Sequence, residues 1–170
     1  MLLTLPGTPF LYQGECLGLV DATVPPDRVV DPGGRDGCRA PMPWMAASNH
    51  GWPTDPWLPF APEGETRNVE TLRQDPTSIL HLYRTLLQLR RAHADLQIGT
   101  FAWLDSGQRT GADDVLAYRR REEWIVVLNL GEQPFDLADD VLVSVATVPE
   151  LAGTTVRRVA PGTAVVGRRS

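Results

Sequence analysis

The sequence predicts an α+β chain in which one amphipathic helix separates a proline-rich, irregular first part from a run of short antiparallel strands. Three observations predict it. Prolines recur at 25, 26, 32, 41, 43, 53, 56, 59 and 62, and no hydrophobic period survives from Asp21 to Asp75. Ile79, Leu82, Tyr83, Leu86 and Leu87, continued by Leu89 and Leu96, recur at helical spacing. Short runs rich in β-branched and aromatic residues then follow, several of them separated by turn residues.

The first part opens with the apolar run Leu2 to Tyr12, interrupted by Pro6, Gly7 and Pro9. Phe10-Leu11-Tyr12 has the composition of a short strand buried on both faces. Such a strand needs neighbours on each side, which predicts the later part of a longer protein. The segment from Asp21 to Asp75 contains Trp44, Trp52, Trp57 and Phe60. Aromatic residues are depleted in disordered segments. An ordered, aromatic-pinned loop lying over a larger body is therefore preferred to disorder.

The helix is predicted over 76–94. Asp75 stands as its N-cap, Pro76 occupies the first position, and Gly99 lies beyond its end. The stripe is wide, so it should pack on something substantial. The strands are predicted at 100–104, 115–121, 124–130, 141–148, 155–159 and 164–166. Turn residues lie at Ser106-Gly107, Gly111-Ala112-Asp113-Asp114, Gly131-Glu132 and Pro161-Gly162. Their spacing fits an antiparallel β-sandwich.

Composition excludes several classes of function. The net charge is −5, which argues against nucleic acid as a partner. The arginine clusters 119–121, 157–158 and 168–169 read as solvated strand faces or a tail. No stretch approaches the roughly 20 apolar residues of a membrane-spanning helix, so no membrane partner is expected, and a cytoplasmic location is. Cys16 and Cys38 form no metal motif; free thiols are the default, with a single bridge left open. His50, His81 and His93 are isolated from one another, so neither a metal nor another cofactor is expected. Asp31-Pro32-Gly33-Gly34-Arg35 reads as a turn and not a phosphate loop, and no serine sits in a nucleophile elbow.

One segment stands out. Gly34-Arg35-Asp36-Gly37-Cys38-Arg39-Ala40-Pro41-Met42-Pro43-Trp44 concentrates arginine, aspartate, proline and tryptophan. Prolines stiffen the backbone, so an arginine here can be held in one pose. A fixed guanidinium donates well to sugar hydroxyls or to a buried carboxylate. Composition leaves both a structural ion pair and a ligand contact open.

This segment resembles the arginine-containing loop of glycoside hydrolase family thirteen α-glucosidases, members of the α-amylase superfamily. Leu5-Pro6-Gly7-Thr8-Pro9-Phe10-Leu11-Tyr12-Gln13-Gly14-Glu15 is similar to that family's eighth barrel strand. Asn68-Val69-Glu70 and Asp75-Pro76-Thr77-Ser78, followed by Leu82-Tyr83-Arg84, resemble the entry to its eighth barrel helix. The resemblance is dense to about residue 96 and rests on order and architecture beyond. It implies that residues 1–96 are the last βα unit of a (β/α)8 barrel with its long loop, and that 97–170 form a C-terminal β-sandwich domain. The family commonly has Gly-Glu-Glu where this chain has Gly14-Glu15-Cys16, which removes an ion pair at the barrel rim.

The activity the resemblance implies is cleavage of α-glucosidic bonds with retention, on an α-glucoside or a malto- or isomalto-oligosaccharide. That chemistry needs two carboxyl groups about 5 Å apart. In the family these come from earlier strands, so no catalytic residue is assigned here, Glu15 included, and the chain alone is expected to be inactive. One residue carries over: Arg39 matches an arginine that binds the terminal glucose in exo-acting relatives. Arg35 and Asp36 are assigned to holding the loop. Self-association is expected through Leu2, Leu3, Leu5 and the apolar face of the helix. Two other readings stay open: a stand-alone carbohydrate-binding or interaction module on the β domain, and the product of a broken gene. For the module, Trp103 and Trp124 are the candidates for a sugar platform, although their strand positions favour core packing.

Overall fold

The computed structural model describes residues 1–104 and 114–170. The turns expected at Ser106-Gly107 and Gly111-Ala112-Asp113 lie outside the described residues. The chain divides into two compact units, one of Met1–Pro9 with Arg84–Ser170 and the other of Phe10–Tyr83.

The strands of the first unit are β1 (Phe101–Trp103), β2 (Val115–Arg120), β3 (Trp124–Asn129), β4 (Phe135–Ala146), β5 (Thr155–Val159) and β6 (Thr163–Arg169). They form one antiparallel sheet in the order β1-β2-β3-β6-β4-β5. The hydrogen-bonded ladder runs continuously through all six strands. Hydrophobic alternation tells which side of a strand is buried, not which sheet it joins. Strand β4 begins at Phe135, earlier than expected, and pairs with both β5 and β6 across register shifts.

The register sorts the side chains. Ala117, Val127 and Val165 lie opposite one another in β2, β3 and β6, and Tyr118, Val126 and Val166 are the neighbouring set on the other face. The first set belongs to a cluster with Ile125, Leu137, Val141, Val143, Ala146 and Val159. Burying each of the larger of these side chains contributes roughly 1.5–3 kcal/mol. Trp124-Ile125-Val126-Val127 is buried at every position, as an inner strand covered on both faces should be. Of the two tryptophans considered as a platform, Trp124 is 1% exposed, whereas Trp103, on edge strand β1, is 61% exposed.

The arginine cluster at 119–121 is not simply a solvated face. Alternation turns Arg120 inward to full burial, while Arg119 pairs with Glu122 at 3.1 Å and Arg121 with Asp95 at 3.3 Å. Arg120 donates to the carbonyls of Thr4, Leu96, Gly99 and Thr100. Arg90, also buried, donates to those of Leu3, Leu5, Gly7 and Leu96. Tyr118 shares a 2.6 Å hydrogen bond with Thr4. These contacts tie the first residues of the chain to the sheet.

Helix α1 (Val69–Gln74) lies in the second unit, and α2 (Ile79–Ala92) contains the division between the units. Helix α3 (Ala94–Ile98) follows in the first. The helix expected over 76–94 therefore starts later, at Ile79, and ends at Ala92. Asp75 is not its cap. Asp75 Oδ1 instead accepts from the Thr77 amide at 2.8 Å, closing a turn, and Ser78 stands immediately before the helix. The apolar stripe of α2 is only partly covered; its one buried side chain is Arg90.

In the second unit Phe10-Leu11-Tyr12 is not a buried strand. It joins no strand ladder among the described residues, and Phe10 is 84% exposed. A strand exists through its partners, so an apolar run without them stays irregular. The long loop is ordered, but less by buried indoles than expected, since Trp44 and Trp57 are exposed. Hydrogen bonds fix it: Trp52 Nε1 donates to Met42 O at 2.7 Å, and the Trp44 amide to His50 O at 2.9 Å. Its small core is Ala22, Ala40 and Ala61 with Leu19 packed against them.

Candidate functional site

The Arg35–Arg39 segment lies in the second unit, and its geometry follows from two buried aspartates. Asp36 is 3% exposed, and its Oδ2 accepts the amides of Val30 at 2.7 Å and Asp31 at 2.9 Å. Asp31, also buried, accepts a fork from Arg35: Nε to Oδ2 at 2.6 Å and Nη2 to Oδ1 at 3.0 Å. The amides of Gly33 and Arg35 bond the same carboxylate at 3.1 and 3.2 Å. These donors, the Arg35 fork foremost, hold the Asp31 carboxyl down at about 2. The turn expected at 31–35 closes through the Gly34 amide on Asp31 O, with Gly34 at φ +70°, a conformation that glycine adopts without strain.

Arg39 ends the 3-10 turn Gly37–Arg39. Gly37 is required at its start, since a Cβ there would lie 2.6 Å from the carbonyl oxygen of Ala22. The Arg39 guanidinium rests near both aspartates, with Nη1 3.3 Å from Asp31 Oδ2 and 3.8 Å from Asp36 Oδ1. Its side chain remains 42% exposed. Asp36 Oδ1 is buried and has no hydrogen-bond partner among the described residues. The structure thus brings Arg35, Asp36 and Arg39 together around a residue that sequence reasoning passed over as part of a turn. Asp31 left a usable signal: it lies four residues before Arg35 and opens an Asp-Pro-Gly-Gly turn, a placement that aims its carboxylate back into the loop.

Glu15 is held apart from this cluster by its own donors. Its carboxylate accepts the Tyr12 amide at 2.9 Å and the Tyr83 hydroxyl at 2.7 Å, which together lower its proton affinity. Burial, with Glu15 beside it, raises the Tyr83 hydroxyl well above its usual range. A hollow of about 110 Å³ lies between Glu15, Asp21, Gly37 and Cys38. It is too small to enclose an oligosaccharide, since ligand pockets run to ~300–1,000 Å³.

Both cysteines are free; Cys38 donates to Arg35 O at 3.1 Å, and burial pushes the Cys16 thiol up. No group of three or more His, Cys, Asp and Glu among the described residues is arranged to hold a metal ion. No helix among them is long and apolar enough to cross a membrane.

Residues 1–99 match the model of the α-amylase catalytic domain. The oligo-1,6-glucosidase of Parageobacillus thermoglucosidasius is 30% identical over 171 residues, a match covering 80% of this chain and 29% of that protein. The glucan 1,6-alpha-glucosidase of Streptococcus pneumoniae is 30% identical over 180 residues, covering 88% and 33%. Among solved structures, an alpha-glucosyl transfer enzyme superposes with a TM-score of 0.77 at 30% identity, covering 99% of this chain and 34% of that one. The chain thus spans about a third of the length of these relatives.

Proposed function

This chain belongs to the α-amylase family, and we propose that it is the C-terminal portion of a retaining α-glucosidase acting on α-linked gluco-oligosaccharides. In this reading residues 1–96 complete a barrel domain and 97–170 form the β domain that follows it. Retention needs a nucleophile and an acid/base about 5 Å apart, and neither role is given to a residue of this chain. Its contribution is to binding. Arg39 presents its guanidinium to the hydroxyls of a terminal glucose, while Arg35, Asp31 and Asp36 fix the loop from behind.

The observation that carries this reading is the pose of Arg39. It is the cation of the loop that stays 42% exposed without a hydrogen bond to either aspartate among the described residues. A guanidinium so held offers its donors without first breaking a strong pair. The purified chain should therefore show no turnover of an aryl α-glucoside, yet bind methyl α-D-glucopyranoside in a titration followed by NMR. Arg39→Ala should abolish the binding and leave the circular dichroism unchanged. Turnover by this chain alone would overturn the assignment.

One observation favours a second reading, a sugar-binding β domain: Trp103 is exposed at the sheet edge, with Phe101 packed against it at 5.0 Å. Loss of glucoside binding in Trp103→Ala, with Arg39→Ala unaffected, would select that reading over the first.

A further inference from the structure

Arg35 and Arg39 lie beside the same carboxylate but are not equivalent. A carboxylate offers about four lone-pair sites. On Asp31 each oxygen already accepts twice: Oδ1 from the Gly33 amide and Arg35 Nη2, Oδ2 from the Arg35 amide and Arg35 Nε. Arg39 Nη1 approaches Oδ2 only to 3.3 Å and makes no hydrogen bond to it. Without the Arg35 fork, half of that acceptor capacity would open next to a guanidinium already in place. Bidentate pairing is the preferred state of an arginine beside a free carboxylate, so Arg39 would turn inward and commit its donors there.

We infer that Arg35 is a positioning residue for Arg39: by saturating Asp31 it keeps the Arg39 guanidinium available to ligand hydroxyls. The inference deepens the proposed sugar-binding role and rests on it only for the identity of the ligand. The lone acceptor Asp36 Oδ1, 3.8 Å from Arg39 Nη1, adds a second negative charge that holds the guanidinium near the loop without using a donor.

The test uses the whole 170-residue chain with isotope-labelled arginine. In the native chain the Arg39 Nε–H exchanges with water at the rate of a solvated arginine. In Arg35→Met that exchange slows about tenfold or more, the protection expected of a hydrogen bond to a charged partner. Glucoside binding weakens by a similar factor. The amides of Val30 and Asp31, which Asp36 holds, report whether the loop is still formed. If they shift in Arg35→Met, Arg35→Lys is read in its place, because an ammonium fills only one carboxylate oxygen and leaves the other open. In the double variant D31N/R35M the exchange returns to the native rate, since a neutral amide no longer draws Arg39 inward. Unchanged Arg39 exchange in a loop that is still formed, or slowing that persists in D31N/R35M, overturns the inference. If the native chain fails to bind the glucoside, the sugar-binding reading fails, and the exchange measurement still decides the role of Arg35.

Discussion

The guanidinium groups of Arg90 and Arg120 converge on one acceptor, the carbonyl oxygen of Leu96, at 2.6 and 2.8 Å. Neither side chain is paired with a carboxylate among the described residues; backbone carbonyls take up both cations. Burial, and then the neighbouring Arg90, pulls the Arg120 guanidinium below its ordinary value. Arg120→Met should destabilise the chain by about 1–3 kcal/mol, the cost of leaving buried carbonyl acceptors without their donors. Arg119→Met, one residue away on the solvated face, should change stability by less than about 0.5 kcal/mol. Urea unfolding of the two variants checks the contrast.

Acid should loosen the Arg35–Arg39 loop over a defined range. The Asp31 carboxyl titrates at about 2 in the folded loop, against ~3.9 for an aspartate in an unfolded chain. The folded state therefore binds fewer protons between those values. Its stabilisation is complete above pH ~4 and is lost as pH falls toward 2. Glu15, lowered as well, acts in the same direction. Acid titration followed by tryptophan fluorescence should show a transition that is smaller in Asp31→Asn.

Asn68 should be irreplaceable by its nearest chemical relative. Fully buried, it accepts from the Thr71 amide at 2.9 Å as the cap of α1, and its amide donates to Gly64 O at 3.0 Å and Glu65 O at 2.9 Å. Asn68→Asp keeps the cap but turns two donor contacts into repulsions, so it should cost about 2–4 kcal/mol, no less than Asn68→Ala. Thermal unfolding of the pair tests this; a milder Asp variant would mean that the cap alone matters.

The chain should bind a hydrophobic dye and self-associate with rising concentration. Phe10 is 84% and Trp57 58% exposed, and the α2 stripe is only partly covered. Leu3 does not contribute as expected, being 3% exposed. Phe10→Ser should reduce dye fluorescence. A monodisperse chain with no dye response at any concentration would contradict this.

Much of the fold was legible in the sequence because its signals are local. The stripe from Ile79 onward located a helix, and the β-branched runs located six strands in the right order. What failed turned on a competing local turn or on partners distant in sequence. Asp75 has the chemistry of a cap, but its own turn with Thr77 uses that chemistry first. Phe10-Leu11-Tyr12 has strand composition, but no partner among the described residues to make it one. Arg120 carries a charge that predicts solvent, yet strand alternation placed it beside free carbonyl groups that could take its donors.

The candidate site divides in the same way. The sequence by itself determined the family and singled out the loop, with Arg39 as a candidate within it, because residue identity and spacing carry that information. Only the tertiary structure decided that Asp31 is the carboxylate Arg35 and Arg39 both approach and that Arg35 holds it. Hydrogen-bonding capacity is finite, and which of two neighbouring cations fills a buried carboxylate depends on distances of a few tenths of an ångström that no spacing rule encodes.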